Sequence, residues 1–206
     1  MNEQLTLILG IGNLLWADEG FGVRCVERLN ERYRFPASVR LMDGGTQGLY
    51  LVQHVQEARC LIIFDAVDYG LEPGTLKVVR DADVPSYMGA RRMSLHQTGF
   101  QEVLAIAGLT GQYPQELLLV GVQPEQLEDF GGSLTEVVRQ QIDPAIAVVL
   151  DFLAARGIVP GASPQSAGPL APGQLALEDY ETGRPAADQA YRHGDVRFIR
   201  ALQGGD

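Results

Sequence analysis

Residues 7–23 read Leu-Ile-Leu-Gly-Ile-Gly-Asn-Leu-Leu-Trp-Ala-Asp-Glu-Gly-Phe-Gly-Val, and this stretch decides how the rest of the chain is interpreted. Its apolar run ends at a glycine-rich turn, as is typical of a buried strand. Amphipathic spacing then begins at Phe21 and predicts a helix. Asp18 and Glu19 fall between the two elements. Because open α/β sheets bind ligands where a strand leads into a helix, these acids hold a favoured position for chemistry.

The alternation of strand and helix continues along the chain. Further strands are predicted at 39–42, 60–67 and 116–123, and helices at 21–33, 48–57 and from Phe100 to about Gly108. The residues from Cys60 to Val67 favour β structure without interruption, as expected of a strand that is buried on both faces. The sequence therefore predicts an α/β fold of three layers, in which a mostly parallel, twisted sheet carries helices on both faces.

Two later segments complete the predicted fold. A turn at 72–74 leads into alternating residues 75–80, which favour a short hairpin at the edge of the sheet. Ser133 and Glu136 have the spacing of a capping box, so a long terminal helix is predicted to begin there. Pro144 cannot donate its amide and is expected to kink or break this helix.

Composition divides the chain into three parts. Residues 1–157 contain all the predicted strands and helices and are expected to form one α/β domain. Residues 158–173 are rich in proline, glycine, alanine and serine, which predicts a linker. Residues 174–206 form a tail with scattered apolar side chains and no visible chemistry.

The charge and the cysteine spacing limit the possible partners and location. With 16 Lys+Arg against 26 Asp+Glu, the net charge of −10 opposes a nucleic acid or an anionic membrane as partner. The first residues include no basic region, and the apolar run is too short to span a bilayer, so we expect a cytoplasmic protein. Cys25 and Cys60 are far from a C-x-x-C spacing and are expected to be buried core thiols, with a disulfide or a metal role as the alternative.

Several common catalytic motifs are absent from the sequence. Leu15 stands where a dinucleotide fingerprint requires its third glycine. There is no nucleophile elbow, no His-Glu-x-x-His and no phosphate-binding P-loop. Asp43-Gly44-Gly45 resembles an aspartic protease loop only loosely, because no serine or threonine follows the acid.

Three side chains remain as a candidate metal site: Glu19 after the first strand, Asp65 at the end of the central strand and His96 in the loop beyond the predicted hairpin. Two carboxylates and an imidazole suit a borderline divalent ion such as nickel, zinc, iron or manganese. Each residue has an alternative role. Glu19 could favour the positive end of the next helix, with Asp18 as its cap, and His96 could merely flank a helix. Asp65 is harder to explain, because a buried carboxylate needs a partner.

The sequence resembles the nickel–iron hydrogenase maturation proteases in six motifs that occur in the family order. The resemblance covers about residues 5–157 and does not extend to the tail. The motifs are Gly10-Ile11-Gly12-Asn13, Asp18-Glu19-Gly20-x-Gly22-Val23, Asp43-Gly44-Gly45-Thr46, Ile63-Phe64-Asp65-Ala66, Ser94-x-His96-Gln97 and Val120-Gly121-Val122-Gln123-Pro124-Glu125.

This resemblance implies a cytoplasmic endopeptidase that removes a C-terminal peptide from a hydrogenase large-subunit precursor after nickel has been inserted. Glu19, Asp65 and His96 match the positions implicated in binding or sensing that nickel, and Asp43 matches an acid near the cleft. Nickel would then arrive with the precursor, and the protein itself would be a monomer. Gly10 and Gly12 are interpreted as turning the chain so that Glu19 faces the other two metal-binding side chains.

Two other functions stay open at this point. The first is a non-catalytic nickel-binding chaperone or checkpoint that docks on the precursor. The second is a generic α/β enzyme for small molecules, which would neither bind nor cleave a precursor.

Overall fold

Five strands form the central sheet of the computed structural model, which describes residues 5–87, 95–127 and 130–162 together with Leu170. Short 3₁₀ turns occupy Ala17–Gly20, Gly48–Leu51 and Asp81–Asp83. In chain order the strands and helices are β1 (Thr6–Ile11), α1 (Phe21–Arg32), β2 (Tyr33–Arg34), β3 (Val39–Gly45), α2 (Val52–Glu57), β4 (Cys60–Ala66), β5 (Leu76–Arg80), α3 (Val84–Tyr87), α4 (Leu95–Leu109), β6 (Glu116–Val122), α5 (Glu136–Arg139), α6 (Ile142–Ala154) and β7 (Gly161–Ala162).

The strand order in the sheet is β3-β1-β4-β6-β5. The first four of these strands are parallel, and β5 pairs antiparallel with β6. The predicted α/β class with a mostly parallel sheet is therefore confirmed. The predicted hairpin is wrong in its pairing, because β5 is a single edge strand whose partner follows only after α3 and α4. The carboxyl ends of the four parallel strands meet at one edge, which we call the carboxyl edge.

Each face of the sheet packs against its own pair of helices. Phe64 and Val120 point towards α1 and α6, and we call this side the α1 face. Ile63 and Leu119, one position earlier on the same strands, point towards α2 and α4, and we call that side the α4 face. Since successive residues of a strand alternate between faces, the position of a residue in its strand decides which helices it meets.

Helix α1 lies unusually close to the sheet because Gly22 has no side chain. A Cβ atom on Gly22 would lie 2.2 Å from the carbonyl oxygen of Phe64 and 2.3 Å from that of Ile11. Gly10 contacts the same helix, since its Cβ would lie 2.3 Å from the carbonyl oxygen of Gly22. Gly10 is thus a packing contact inside β1, and its predicted role in turning the chain is wrong.

The predicted terminal helix is divided into α5 and α6. Thr135 occupies the N-cap position of α5, so the predicted capping box at Ser133 is wrong. The helix is interrupted at residues 140–141, and Pro144 stands in the first turn of α6, where a backbone amide has no intrahelical acceptor. Both cysteines are buried and free, as predicted.

The chain beyond α6 returns to the segment that directly follows α1. β7 pairs antiparallel with β2, and Ile158 and Leu170 pack against the core of the α1 face. The predicted tail and most of the predicted linker lie outside the described residues, so the boundaries at 157 and 173 stay predictions. Within the described part of the chain, no helix combines the length and apolarity that crossing a membrane requires.

Candidate functional site at the carboxyl edge

The carboxyl edge carries the backbone positions of all three predicted metal-binding residues. Glu19 lies in the 3₁₀ turn after β1, and Asp65 is the penultimate residue of β4. His96 belongs to the first turn of α4, not to a loop as predicted. Because α4 leads back to the start of β6, its first turn lies at the same edge as the other two residues. The side chain of His96 is outside the described residues, so convergence of the three groups stays a prediction.

Asp65 is fully buried at 0% exposure and pairs with Gly121 of β6, which in turn pairs with Lys77 of β5. Paired residues share a face, and alternation from Ile63 places this row on the α4 face. Tyr69 lies over the middle of the row, because a Cβ on Gly121 would be 2.3 Å from its hydroxyl oxygen. The ammonium of Lys77 is 5.1 Å from the centroid of the Tyr69 ring. No sequence pattern points to Tyr69, whose position follows only from the sheet order.

Asp18 is fully buried and joins the β1–α1 connection to the segment that follows β6. Its Oδ2 accepts hydrogen bonds from the amides of Glu125 at 2.9 Å and Gln126 at 2.8 Å, and from the Thr135 hydroxyl at 3.1 Å. Its Oδ1 accepts from the amide of Thr135 at 2.7 Å. We call these four bonds the Asp18 clamp. Asp18 is therefore not the predicted helix cap, and it holds two segments together that are more than a hundred residues apart in sequence.

The turn that carries Glu19 folds back tightly over the end of β1. Gly12 has φ +138°, and a Cβ there would lie 1.8 Å from the carbonyl oxygen of Glu19. Gly12 therefore allows the chain to turn tightly at the end of β1, while the predicted facing of Glu19 towards Asp65 and His96 stays a prediction. Ala17 has φ 38°, which is unusual for a residue with a side chain. The neighbouring Asp18 clamp holds this conformation, so the half-buried Glu19 is carried on a fixed backbone beside β4.

Gln123 fixes the segment that follows β4. It is buried, and its Oε1 accepts hydrogen bonds from the amides of Tyr69 at 2.8 Å and Leu71 at 3.1 Å. Its Nε2 donates to Asp68 Oδ1 at 3.1 Å and to the Pro124 carbonyl at 3.3 Å. Gln123 belongs to one of the family-like motifs, but the motif does not predict this structural role. The only feature of the sequence that could have indicated this role is the position of Gln123, whose amide side chain stands between a buried strand and Pro124.

Asp43 lies on the opposite face of the sheet from Asp65. It pairs with Gly10, whose missing side chain would point at α1, so Asp43 is on the α1 face. Burial raises the pKa of Asp43 above its usual value, while the Gly45 amide and the Arg24 guanidinium lower it. Arg24 is itself buried and pairs with Glu27 at 2.8 Å. Asp43 therefore lies on β3 beside the charged residues Arg24 and Glu27 of α1, apart from the row that contains Asp65.

The described side chains include no group of three histidine, cysteine or acidic residues that could hold a metal ion. The imidazole of His96 is not among those side chains. The donor types of Glu19, Asp65 and His96 fit a divalent ion of borderline softness. The described geometry places two of them on neighbouring segments, the turn after β1 and strand β4.

Comparison with known proteins identifies similar chains. A family model described as hydrogenase maturation protease matches residues 23–152. The hydrogenase expression/formation protein HoxM of Azotobacter vinelandii is 74% identical over 193 residues, which cover 94% of this chain and 93% of that protein. The hydrogenase 2 maturation protease of Escherichia coli (strain K12) is 43% identical over 153 residues, covering 74% of this chain and 92% of that protein.

Solved structures give the same result for the fold. The structure of the hydrogenase maturating endopeptidase HybD from E. coli matches with a TM-score of 0.73 and 41% sequence identity. The match covers 77% of this chain and 97% of that chain, so nearly a quarter of this chain has no counterpart there.

Proposed function

The chain belongs to the hydrogenase maturation protease family, and from this premise we propose that it is an endopeptidase that removes the C-terminal peptide of a nickel-loaded hydrogenase large-subunit precursor. The observation that supports this proposal is the arrangement of candidate side chains at the carboxyl edge. Two carboxylates and the helix turn with His96 lie there on three segments of one fold, and that fold matches an E. coli endopeptidase. The cytoplasmic location and the monomeric state expected from the sequence stay predictions.

In this proposal nickel is part of the substrate. Glu19, Asp65 and His96 would contact the ion held by the precursor, since oxygen and nitrogen donors suit such ions. The contact would act as a positional check, because cleavage could proceed only when the metal has brought the scissile bond into the site. Coordination would also polarise the scissile carbonyl.

Water is the proposed nucleophile, and Asp43 is the proposed residue that orients or deprotonates it. A carboxylate with a raised pKa is a stronger base than one in water, which supports this assignment. Asp43 and Asp65 lie on opposite faces near the end of the sheet. The substrate would therefore have to cross the carboxyl edge to meet both residues.

A cleavage assay tests the proposed function. Purified protein is incubated with nickel-loaded precursor, and mass spectrometry measures shortening at the precursor C-terminus. We expect Asp65→Ala and His96→Ala to slow shortening by about 100-fold or more, because the bond is then no longer positioned. Glu31→Ala, which removes an exposed acid from α1, is the control and should cleave normally. If the wild-type protein binds the precursor but never shortens it, the non-catalytic checkpoint is the better explanation.

Elemental analysis tests where the nickel comes from. The freshly purified protein should contain no stoichiometric metal if the ion arrives with the precursor. One tightly held metal ion per chain would show that the substrate-delivered model is wrong.

A further inference from the structure

We propose that an apolar rim around the carboxyl edge is the docking surface for the hydrogenase precursor. This inference rests on the proposed function and identifies where the partner is held. Among the described residues, nine large apolar side chains are exposed, and five of them follow the carboxyl ends of the parallel strands. These five form the apolar rim: Leu15, Leu49, Tyr50, Leu71 and Phe130.

Every parallel strand contributes to the rim. Leu15 follows β1, Leu49 and Tyr50 follow β3, Leu71 follows β4 and Phe130 follows β6. Their exposed fractions range from 39% for Leu15 to 85% for Tyr50. Single exposed apolar residues are ordinary on a protein surface, but several around one site indicate an interaction surface.

Much of the rim is held in place before any partner binds. Phe130 packs edge-on against Trp16, with 5.3 Å between ring centroids, and the two residues form a backbone bridge. The Leu15 carbonyl accepts a hydrogen bond of 2.8 Å from the amide of Gly131. Leu71 is fixed through its own amide by Gln123. A preorganised surface loses little conformational entropy on binding, so these contacts favour docking.

Charge indicates the chemistry of the partner. The carboxylates Glu19, Asp43 and Asp65 stand near or directly after the carboxyl ends of the same parallel strands that the rim residues follow. A complementary partner carries a cation at its centre and apolar side chains on both sides of it. A polypeptide segment that flanks a protein-bound nickel ion has this chemistry, whereas a free metal ion offers nothing to the apolar side chains. The occupant is therefore the part of the precursor next to its nickel.

Rim substitutions test the docking surface. Affinity for nickel-loaded precursor is measured by biolayer interferometry, and KM and kcat for shortening are measured on the same samples. We expect Leu49→Ser with Tyr50→Ala, and separately Phe130→Ala, to weaken binding by about tenfold and to raise KM similarly, because exposed apolar anchors are lost. The value of kcat should stay within about twofold, since no proposed metal contact or base is changed.

Two variants elsewhere serve as matched controls. Leu109 and Val159 are exposed at 88% and 76%, and Leu109 ends α4 far from the carboxyl edge. Leu109→Ala and Val159→Ala should leave affinity and KM unchanged. The variants at Leu49, Tyr50, Leu109 and Val159 should retain the wild-type thermal midpoint, because these side chains are largely exposed. Phe130→Ala also removes the ring contact with Trp16, so its thermal midpoint is measured alongside its affinity, and its affinity is compared at a temperature where the variant is fully folded.

The two measurements distinguish the possible outcomes. The proposed docking surface is wrong if the rim variants bind the precursor as tightly as the wild-type protein does, or if the wild-type protein does not bind it at all. An equal loss of affinity in the control variants also overturns it. Binding that depends on the rim without any shortening supports the docking surface while the proposed protease function fails. Normal shortening with an unaffected KM in the rim variants supports the protease function alone.

Discussion

Asp43 and Asp65 each stand within two residues of the carboxyl end of a parallel strand, yet their surroundings differ. Asp65 belongs to a central strand, is fully buried and points to the α4 face. Asp43 belongs to an edge strand, is half-buried and points to α1, with Arg24 nearby. The strand order and the alternation of side chains along each strand thus place the two acids on opposite faces of the sheet. This separation agrees with their two proposed roles, metal contact for Asp65 and proton transfer for Asp43.

The segments next to these acids are also held differently. After β1, β4 and β6, backbone amides donate hydrogen bonds to two buried side chains, those of Asp18 and Gln123, which join these segments. After β3, Gln47 donates from its Nε2 to the Asp43 carbonyl at 3.1 Å, and this bond is exposed to solvent. The side that carries Glu19 and Asp65 is therefore expected to be the more rigid one, and substitutions on the two sides should have unequal effects.

The largest expected effect is that of Asp18→Asn. An asparagine amide would turn one acceptor of the Asp18 clamp into a donor that faces other donors, so buried amides would lose their partners. We expect the free energy of unfolding, measured by urea denaturation, to fall by about 3 kcal/mol. Asp43→Asn is the matched comparison on the other side. Because burial disfavours the Asp43 carboxylate, its neutral substitute should cost no stability at pH 7.

Equal losses in these two variants would contradict the comparison, since they would mean that both carboxylates serve the same structural purpose. The rate of precursor cleavage by Asp18→Asn should fall as well, because Glu19 belongs to the same 3₁₀ turn that the Asp18 clamp holds in place. Cleavage by Asp43→Asn should fall without any loss of stability if Asp43 is the base.

A smaller effect is expected from Gln123→Leu. This substitution removes the acceptor of the Tyr69 and Leu71 amides, and we expect a loss of about 2 kcal/mol in the free energy of unfolding. Gln47→Leu breaks the exposed bond on the opposite side and should cost less than about 0.5 kcal/mol. Hydrogen exchange adds a local measurement, because the amides of Tyr69 and Leu71 should lose protection in the first variant alone. Unchanged protection there would show that Gln123 does not hold this segment.

The fold class and the location of the candidate site are predictable from the sequence. Continuous apolar runs such as the one that contains Asp65 identify strands, and parallel strands must end at one edge. Chain order alone therefore assigns Glu19 and Asp65 to that edge. It does not assign His96, which follows the antiparallel strand β5, and only the helix α4 running towards the start of β6 places its backbone at that edge.

The remaining features depend on partners that local sequence does not reveal. An acid before a helix looks the same whether it caps the helix or clamps a distant segment, so the predicted capping role of Asp18 is wrong. The pairing of β5 with β6 is set by packing across the sheet, and an isolated alternating stretch cannot distinguish it from a hairpin. The division of Asp43 and Asp65 between faces likewise follows only from the register.

The smallest expected effect concerns the pH dependence of cleavage and tests the role of Asp43. Burial raises the pKa of this carboxyl, and the Arg24 guanidinium opposes that rise. A general base acts only when deprotonated, so activity should increase as pH rises through the pKa of Asp43 in the folded protein. Arg24→Gln removes the opposing charge, so the acidic limb of the pH–rate profile should move to higher pH.

The sign for stability follows from the same raised pKa. Because the folded pKa of Asp43 lies above the unfolded one, its contribution to stability is present at low pH and is lost as pH rises through the folded pKa. Arg24→Gln should enlarge that loss, and Glu27 adds to it in the same direction, because burial raises its pKa and the bonded Arg24 lowers it. Urea denaturation at several pH values measures the combined change, and Glu27→Gln alone measures the part that belongs to Glu27. Arg28→Gln, on a more exposed part of α1, is the control and should leave both profiles in place. A pH–rate profile that stays unmoved in Arg24→Gln would show that Asp43 is not the residue whose deprotonation controls cleavage.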